Sequence, residues 1–581
     1  MTIKARSSQR ILLLFFSFLS LLTLSSCVTL KDPETSQEHT SAVVATLEGG
    51  HSAGQSFISR RARLNGVFLW LNVREGANSD EGMLIVQLFH APGEKTPQAA
   101  VTIPLRDAAR SNPIQINLPV QSDPPAQAYY LSLLATSGIV DVLGRDEDAY
   151  PYGNATRDGE TLEGDFAFRT SYDYDLSAFW GDIRTSSGHW WLIFPLAIVL
   201  LLPGWLIYAI LSPINVNEQS DSSDRLAIAV GLSMAFIPLL MAWTSAIKLP
   251  WGRLGLLFAA GMMLALMIWQ LIRHKGNKPK LNWYVVILFV IFATALIVRL
   301  IMVRDLAAPA WVDSVHHSLL TRIIMEQGGY PDNYAPYIDI DNAGYHPGFH
   351  SLLASFQWLT NLNALDAMKL FGQVLNALSV IAVYLFTKSL TQDRIAGLLA
   401  AMITAYFTPM PAYYASWGRY TQLAGLLILP VSFSLVKMSS AFYVNKIVWK
   451  PLLLAAVASA GLFLTHYRVV VFLGCLLLAD YISRSVEEII QNYKTNKGDS
   501  WLREVSRISL REIMGIALIT LVSTILLLPW LPSALSTFII PKAVIWQGGE
   551  QALFSGFSWA FLTTAWGKYT LYLAGLGLIW S

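Results

Sequence analysis

The chain has 581 residues, 54% of them apolar and 14% charged, with a mean hydropathy of +0.45. That is too apolar and too poor in charge for a large water-soluble protein, so the bilayer must be its solvent. A formal net charge of +2 gives no basic field for nucleic acid, and the only two cysteines, Cys27 and Cys475, build neither a disulfide framework nor a thiolate metal site.

Residues 1–29 read as a targeting segment, with Lys4, Arg6 and Arg10 ahead of an apolar run over 11–24 and then Leu24-Ser25-Ser26-Cys27. The tetrapeptide is either a bacterial lipobox, with Cys27 acylated as the mature N-terminus, or the tail of an uncleaved signal anchor. In both cases the residues after it are exported. Residues 30–188 hold no spanning run. Short β-type runs at 55–58, 66–73, 83–89, 100–103, 114–118, 129–134 and 166–170 alternate with Gly, Pro, Asn and Asp clusters, which predicts an antiparallel β-sandwich. The layout resembles jelly-roll or carbohydrate-binding-module-like domains, serving as spacer or sugar binder. Asp146, Glu147 and Asp148 are either a calcium site or a solvated acidic turn.

Backbone amides cannot stay unpaired in hydrocarbon, so a spanning helix needs about 20 mostly apolar residues. Runs at 190–211, 226–247, 254–272, 283–303 and 513–535 meet that length. Residues 189–282 then form accessory spans and 283–581 the main α-helical module. With the sandwich outside, the loop holding Arg273, Lys275, Lys278 and Lys280 falls inside, as short cytoplasmic loops require, and 304–345 falls outside.

The stretch 346–362 decides every later loop. If it does not span, eleven Lys and Arg lie inside (Lys388, Arg394, Lys437, Lys446, Lys450, Arg484, Lys494, Lys497, Arg503, Arg507, Arg511) against Arg419, Arg468, Lys542 and Lys568 outside. The segment is therefore expected to be an interfacial helix along the outer membrane surface. A last apolar run, 569–580, has twelve residues, short of a span, so the sequence is expected to continue beyond it.

Three polar clusters converge on that outer face. Asp313 takes the N-cap position of a helix carrying Leu319, Leu320, Ile323 and Ile324 and ending at Gly328-Gly329-Tyr330-Pro331, with His316 and His317 one turn on. A cap is worth about 1 kcal/mol, and the same position aims a carboxylate out of the helix end. Asp339 and Asp341, with His346 and His350, are either a polar turn or ligands, together with Asp313, for a divalent cation such as Mg or Mn. Arg419 and Gln422 open one span, while His466 and Arg468 interrupt another. Arginines at a membrane surface often snorkel, but two of them facing an acidic loop fit an anionic ligand, and a lipid phosphate is the obvious one.

From 283 to 468 the chain resembles the GT-C glycosyltransferases, which use polyprenyl-phosphate-linked sugars and include protein O-mannosyltransferases, oligosaccharyltransferases and the aminoarabinose transferase of lipid A. The resemblance rests on a span that exits the membrane, a first outer loop with an acid, a helix ending in a Gly-Tyr-Pro-like turn, a Pro-containing surface helix, and alternating spans. It implies inverting transfer to an envelope glycan, lipid or protein on the extracytoplasmic face of a bacterial cytoplasmic membrane. Asp313 would be base or metal ligand, and His316, His317, His346, His350, Arg419, Gln422, His466 and Arg468 would contact substrate. Two positions depart from the pattern: His346-Pro347-Gly348 stands where many relatives have a Lys-Pro-Pro-like start, and Ser314 where many carry a second acid. The rival readings are a lipid-linked sugar transporter or flippase, whose polar groups belong at mid-membrane on broken helices, and a non-catalytic envelope scaffold whose sandwich does the work.

Overall fold

Alternating apolar residues at the N-terminal side and long apolar runs after residue 190 produce two kinds of structure in the computed structural model, which describes residues 28–31, 36–74, 82–211, 222–273, 282–304, 306–339, 343–408, 410–445, 449–494, 500–541 and 572. The targeting segment through Cys27, Asp341 and nearly all of the run 569–580 lie outside the described residues. The chain divides into two compact units, one up to residue 185 and one from 186 onward.

The first unit is antiparallel throughout its described pairs. A six-stranded sheet runs Glu160–Thr161, Ala155–Arg157, Ser52–Ser59, Gln127–Ala135, Met83–Phe89, Ala99–Pro104, and a four-stranded one runs Val28–Lys31, Phe168–Tyr174, Leu64–Leu69, Ile114–Asn117. A third sheet joins Asp165–Phe166, Ile139–Arg145 and Ala42–Leu47, with Leu71–Arg74 also paired to Ile139–Arg145. Met83–Phe89 alternates intermediate and buried residues along its length, and the inward set, with Phe57, Leu131, Phe166 and Phe168, makes one apolar core.

Two expectations are corrected here. The run 66–73 is two strands that pair with different partners on either side of Trp70. Ile139–Arg145 is a further strand, hidden in the sequence because Asp141 sits at its centre. That carboxylate is 2% exposed and is tolerated because Arg74 donates to both its oxygens at 2.8 Å while Thr46 donates at 2.9 Å. The acidic turn 146–148 is solvated, with Glu147 held by Arg145 at 2.8 Å.

The helices of the second unit are numbered from its first α-helix: α1 (Ile193–Leu200), α2 (Leu202–Leu211), α3 (Ser222–Ala246), α4 (Arg253–Arg273), α5 (Trp283–Met302), α6 (Asp313–Gln327), α7 (Gly348–Thr360), α8 (Ala364–Thr391), α9 (Arg394–Tyr406), α10 (Ala412–Ser416), α11 (Tyr420–Asn445), α12 (Trp449–Thr465), α13 (Tyr467–Lys494), α14 (Ser500–Leu527) and α15 (Leu531–Ala534). Among the described residues seven helices are long and apolar enough to cross a membrane. The chain is a multi-pass membrane protein. Its helix ends reflect local chemistry: Asn363 accepts from Asp366 N and Asp393 from Ile395 N, both at 2.8 Å, while Gly328, Asn361 and Gln392 close helices in the left-handed region.

The run 513–535 is not one straight helix. Helix α14 stops at Leu527 and the chain turns by 97° into Leu531–Thr537, because Pro529 and Pro532 remove two helix donors in four residues. Helix α7 also differs from expectation. At 13 residues it is too short to span, but it does not lie exposed along a surface: every residue from Gly348 to Gln357 is buried, inside the core that α3, α8, α11 and α12 contribute to. Its serines make this possible by bonding back to their own helix, Ser351 to Gly348 O and Ser355 to Ser351 O, both at 2.8 Å.

Candidate active site

Consecutive long helices run back and forth, so the start of α11, the α12 to α13 break and the turn after α14 return to one end of the unit. Helix α6 and residues 330–339 and 343–346 also reach that end. Together they enclose a cavity of about 430 Å³ lined by Asp313, His316, His317, Arg419, Thr421 and His466, with Tyr334, Tyr345 and Thr537 among the other walls.

Asp313 opens α6, but it does not cap it. Val312 already has helical backbone angles and no side-chain cap bond forms, because Trp311, at φ 72°, turns the chain one residue earlier. A non-glycine residue held there costs roughly 1–3 kcal/mol, stored two residues before the carboxylate. Asp313 is consequently free to face the cavity, where the helix dipole favours its charge and Arg419 Nη1 lies 3.2 Å from Oδ2. The pair is partly open, with side chains 29% and 46% exposed. Gly418 sets this approach: its φ is 63°, and a Cβ there would sit 3.2 Å from both Asp313 Cβ and Ser314 Oγ. Ser314 ties the wall together by donating to Ala310 O at 2.5 Å and bonding Tyr420.

Behind the carboxylate lies a buried histidine pair. His317 Nδ1 and His350 Nε2 are 2.9 Å apart, and the two rings also bond the backbone of Gly418 and His346 respectively. Burial holds the His317 imidazole neutral, down to about 4, and pushes His350 down as well. His466 is likewise held down to about 4 by burial, with Arg468 and Arg419 adding to it, and its Nδ1 has no hydrogen-bond partner among the described residues. Among the described residues the cavity thus combines the Asp313 carboxylate, the Arg419 guanidinium and the imidazoles of His317 and His466, which burial keeps neutral.

The other sequence candidates fall around this centre. His346 is buried, stacked on Tyr345 with ring centroids 3.9 Å apart and 4.7 Å from His466. Arg468 is exposed on the first turn of α13, near enough to act on the charge of His466. Gln422 donates to Tyr414 Oη at 3.4 Å, away from the lining. Asp339 is exposed and outside the lining, and Asp341 lies outside the described residues. Among the described residues no three His, Cys, Asp or Glu side chains are grouped to hold a metal ion.

Sequence reasoning missed Tyr334, Ile338 and Thr537 as lining residues. Tyr334 Oη receives Tyr345 N–H at 3.4 Å and Tyr467 Oη donates to Gly344 O at 2.8 Å, so two tyrosines fix the strip that carries Tyr345. Thr537 arrives through the bend after α14, whose two prolines were the available signal. Gly344 permits its approach, since a Cβ there would lie 1.4 Å from Thr537 Oγ1.

The chain belongs to a family of unknown function, DUF6541, whose model matches residues 197–581 and so takes in the whole cavity. No curated protein matches the chain.

Proposed function

We propose that this member of the DUF6541 family is a GT-C-type membrane glycosyltransferase, moving a sugar from a polyprenyl-phosphate donor to an acceptor hydroxyl on the extracytoplasmic face. The observation that carries the reading is the Asp313–Arg419 pair, 3.2 Å apart and open to a cavity at the end of a membrane-spanning bundle. Beside it Trp311, Val312 and Val315 are each more than half exposed, an apolar approach suited to a substrate delivered by a lipid.

In the proposed reaction Asp313 accepts the proton of the acceptor hydroxyl as that oxygen bonds the anomeric carbon. The bond from that carbon to the donor phosphate breaks with inversion, and its electron pair leaves on the phosphate. A placed base contributes on the order of 100-fold or more. Arg419, and Arg468 from the rim, favour the charge that grows on the leaving phosphate. His466, neutral and with an open Nδ1, is suited to accept from a sugar hydroxyl, while His317 and His350 hold the wall that carries Asp313. No step is routed through a divalent metal, because the described donor set offers one carboxylate already engaged by Arg419.

The positive-inside pattern supports the orientation, since Lys388, Lys437 and Arg484 lie on the half of the bundle remote from the cavity. The antiparallel sheets of the first unit suit a jelly-roll-like spacer or sugar-binding domain. Purified protein mixed with labelled polyprenyl-phosphate sugar, with and without chelator, tests the proposal. Transfer or hydrolysis supports it; movement of intact donor across vesicles would indicate a flippase, and inertness a scaffold.

A further inference from the structure

A second cavity, of about 320 Å³, lies on the other side of the wall that carries Asp313 and Arg419. The residues of that wall divide between the two spaces: Arg419 and Thr421 line the first, Ser416 and Tyr420 the second. Most of the second lining is apolar, from Met302, Val303, Leu306 and Pro309, but it holds Arg299, Lys369, Gln373 and Asn376 as well.

Two of these are buried and incompletely satisfied. Arg299, one turn before the end of α5, is 5% exposed; its Nε has no hydrogen-bond partner among the described residues and its Nη2 reaches only Ala405 O, at 3.5 Å. No carboxylate among the described residues pairs with it. Asn376, 2% exposed, donates through Nδ2 to Ala412 O at 3.2 Å and Gln373 Oε1 at 3.4 Å, which fixes its amide and leaves Oδ1 with no partner among the described residues. Lys369, in contrast, is occupied by Leu306 O at 2.6 Å and Asp366 at 3.1 Å. A guanidinium buried in a spanning helix with no counterion among the described residues is costly and marks a ligand site.

We infer that this cavity binds the head of an anionic phospholipid, its phosphate on Arg299, a headgroup hydroxyl donating to Asn376 Oδ1, and its chain along Met302, Leu306 and Pro309. The inference does not rest on the transferase reading, since the same site would hold lipid in a scaffold or a transporter.

The test uses full-length protein stripped of lipid in neutral detergent, then given phosphatidylglycerol, phosphatidic acid, phosphatidylcholine or inorganic phosphate, with binding read by native mass spectrometry and by melting temperature. Phosphatidylglycerol should bind at least tenfold tighter than phosphatidylcholine and raise the melting temperature. Arg299→Gln should lose that binding and that rise while melting, when stripped, no lower than wild type, because a buried charge with no counterion among the described residues has been removed. Asn376→Leu should keep phosphatidic acid but lose the preference for the hydroxylated headgroup, and it decides the matter if Arg299→Gln does not fold. The inference is overturned if phosphatidylglycerol binds no better than phosphatidylcholine, if inorganic phosphate alone stabilises as much as the lipid, or if both variants bind as wild type.

Discussion

The two ends of the helical unit treat charge in opposite ways. Remote from the cavity, Asp224 meets Lys388 at 2.7 Å, and Lys437, Asp480, Arg484 and Glu512 form a continuous chain with contacts of 2.6, 2.9 and 2.7 Å. Asp224, Asp480 and Glu512 are each 16% exposed or less at the side chain, and every one is matched. Lys437 lies 17 residues along α11 from Tyr420, roughly 25 Å at 1.5 Å per residue. At the cavity end the Asp313 carboxylate and the Arg419 guanidinium share an opening, backed by the His317 and His466 imidazoles that burial keeps neutral. A saturated network holds helices in register, whereas an open pair beside neutral donors and acceptors is arranged for something that comes and goes.

If that contrast is right, substitutions at the two ends should separate turnover from stability. Short of Asp313 itself, the largest effect is expected at Arg419: replacement by Gln should lower donor turnover about 100-fold with little change in melting temperature, and Lys should restore only part because it lacks the planar fork. An equal loss of both quantities would erase the distinction between the ends.

A pH series sharpens the comparison from the stability side. His317 is held down to about 4 when folded, against about 6.5 unfolded, so between those values the unfolded chain binds a proton that the native one refuses. Stability should therefore be full above about pH 6.5 and decline as pH falls toward 4, by on the order of 3 kcal/mol for this residue alone. Melting temperatures across that window measure it, and replacing His317 by Gln should flatten the slope.

Asp480→Asn should show the reverse of Arg419→Gln: about 1–2 kcal/mol of stability lost, discounted because Arg484 is 44% exposed, and near-normal turnover in the protein that folds. The smallest expected effect is that of Gly418→Ala, about 1 kcal/mol from forcing a Cβ into the left-handed region. Because that Cβ would press on Asp313, turnover should fall further than stability does.

The cavity was legible in sequence only where a polar group interrupts an apolar run. Asp313, Arg419 and His466 each stand at a helix boundary, and the run lengths were enough to bring those boundaries to one end. Thr537 was hidden because the run 513–535 carries no charge and only its prolines disclose the bend. Helix α7 misled for a different reason. Its surface position was expected from the charge count across the later loops and from His346 and His350 near one end, but back-bonding by Ser351 and Ser355 and the His350–His317 contact satisfy its polar groups internally, so the helix is buried from Gly348 to Gln357. In the sheet unit Asp141 concealed a strand in the same manner, its charge answered by Arg74 from a neighbouring strand.

The central claim is that Asp313 performs chemistry rather than capping, and α6 already begins without a side-chain cap. The most direct measurement is turnover of a labelled polyprenyl-phosphate sugar by Asp313→Asn beside wild type, with membrane insertion and melting temperature monitored in the same preparations. Turnover should fall by at least about 100-fold in a variant that inserts and melts normally. Wild-type turnover from that variant would contradict the claim.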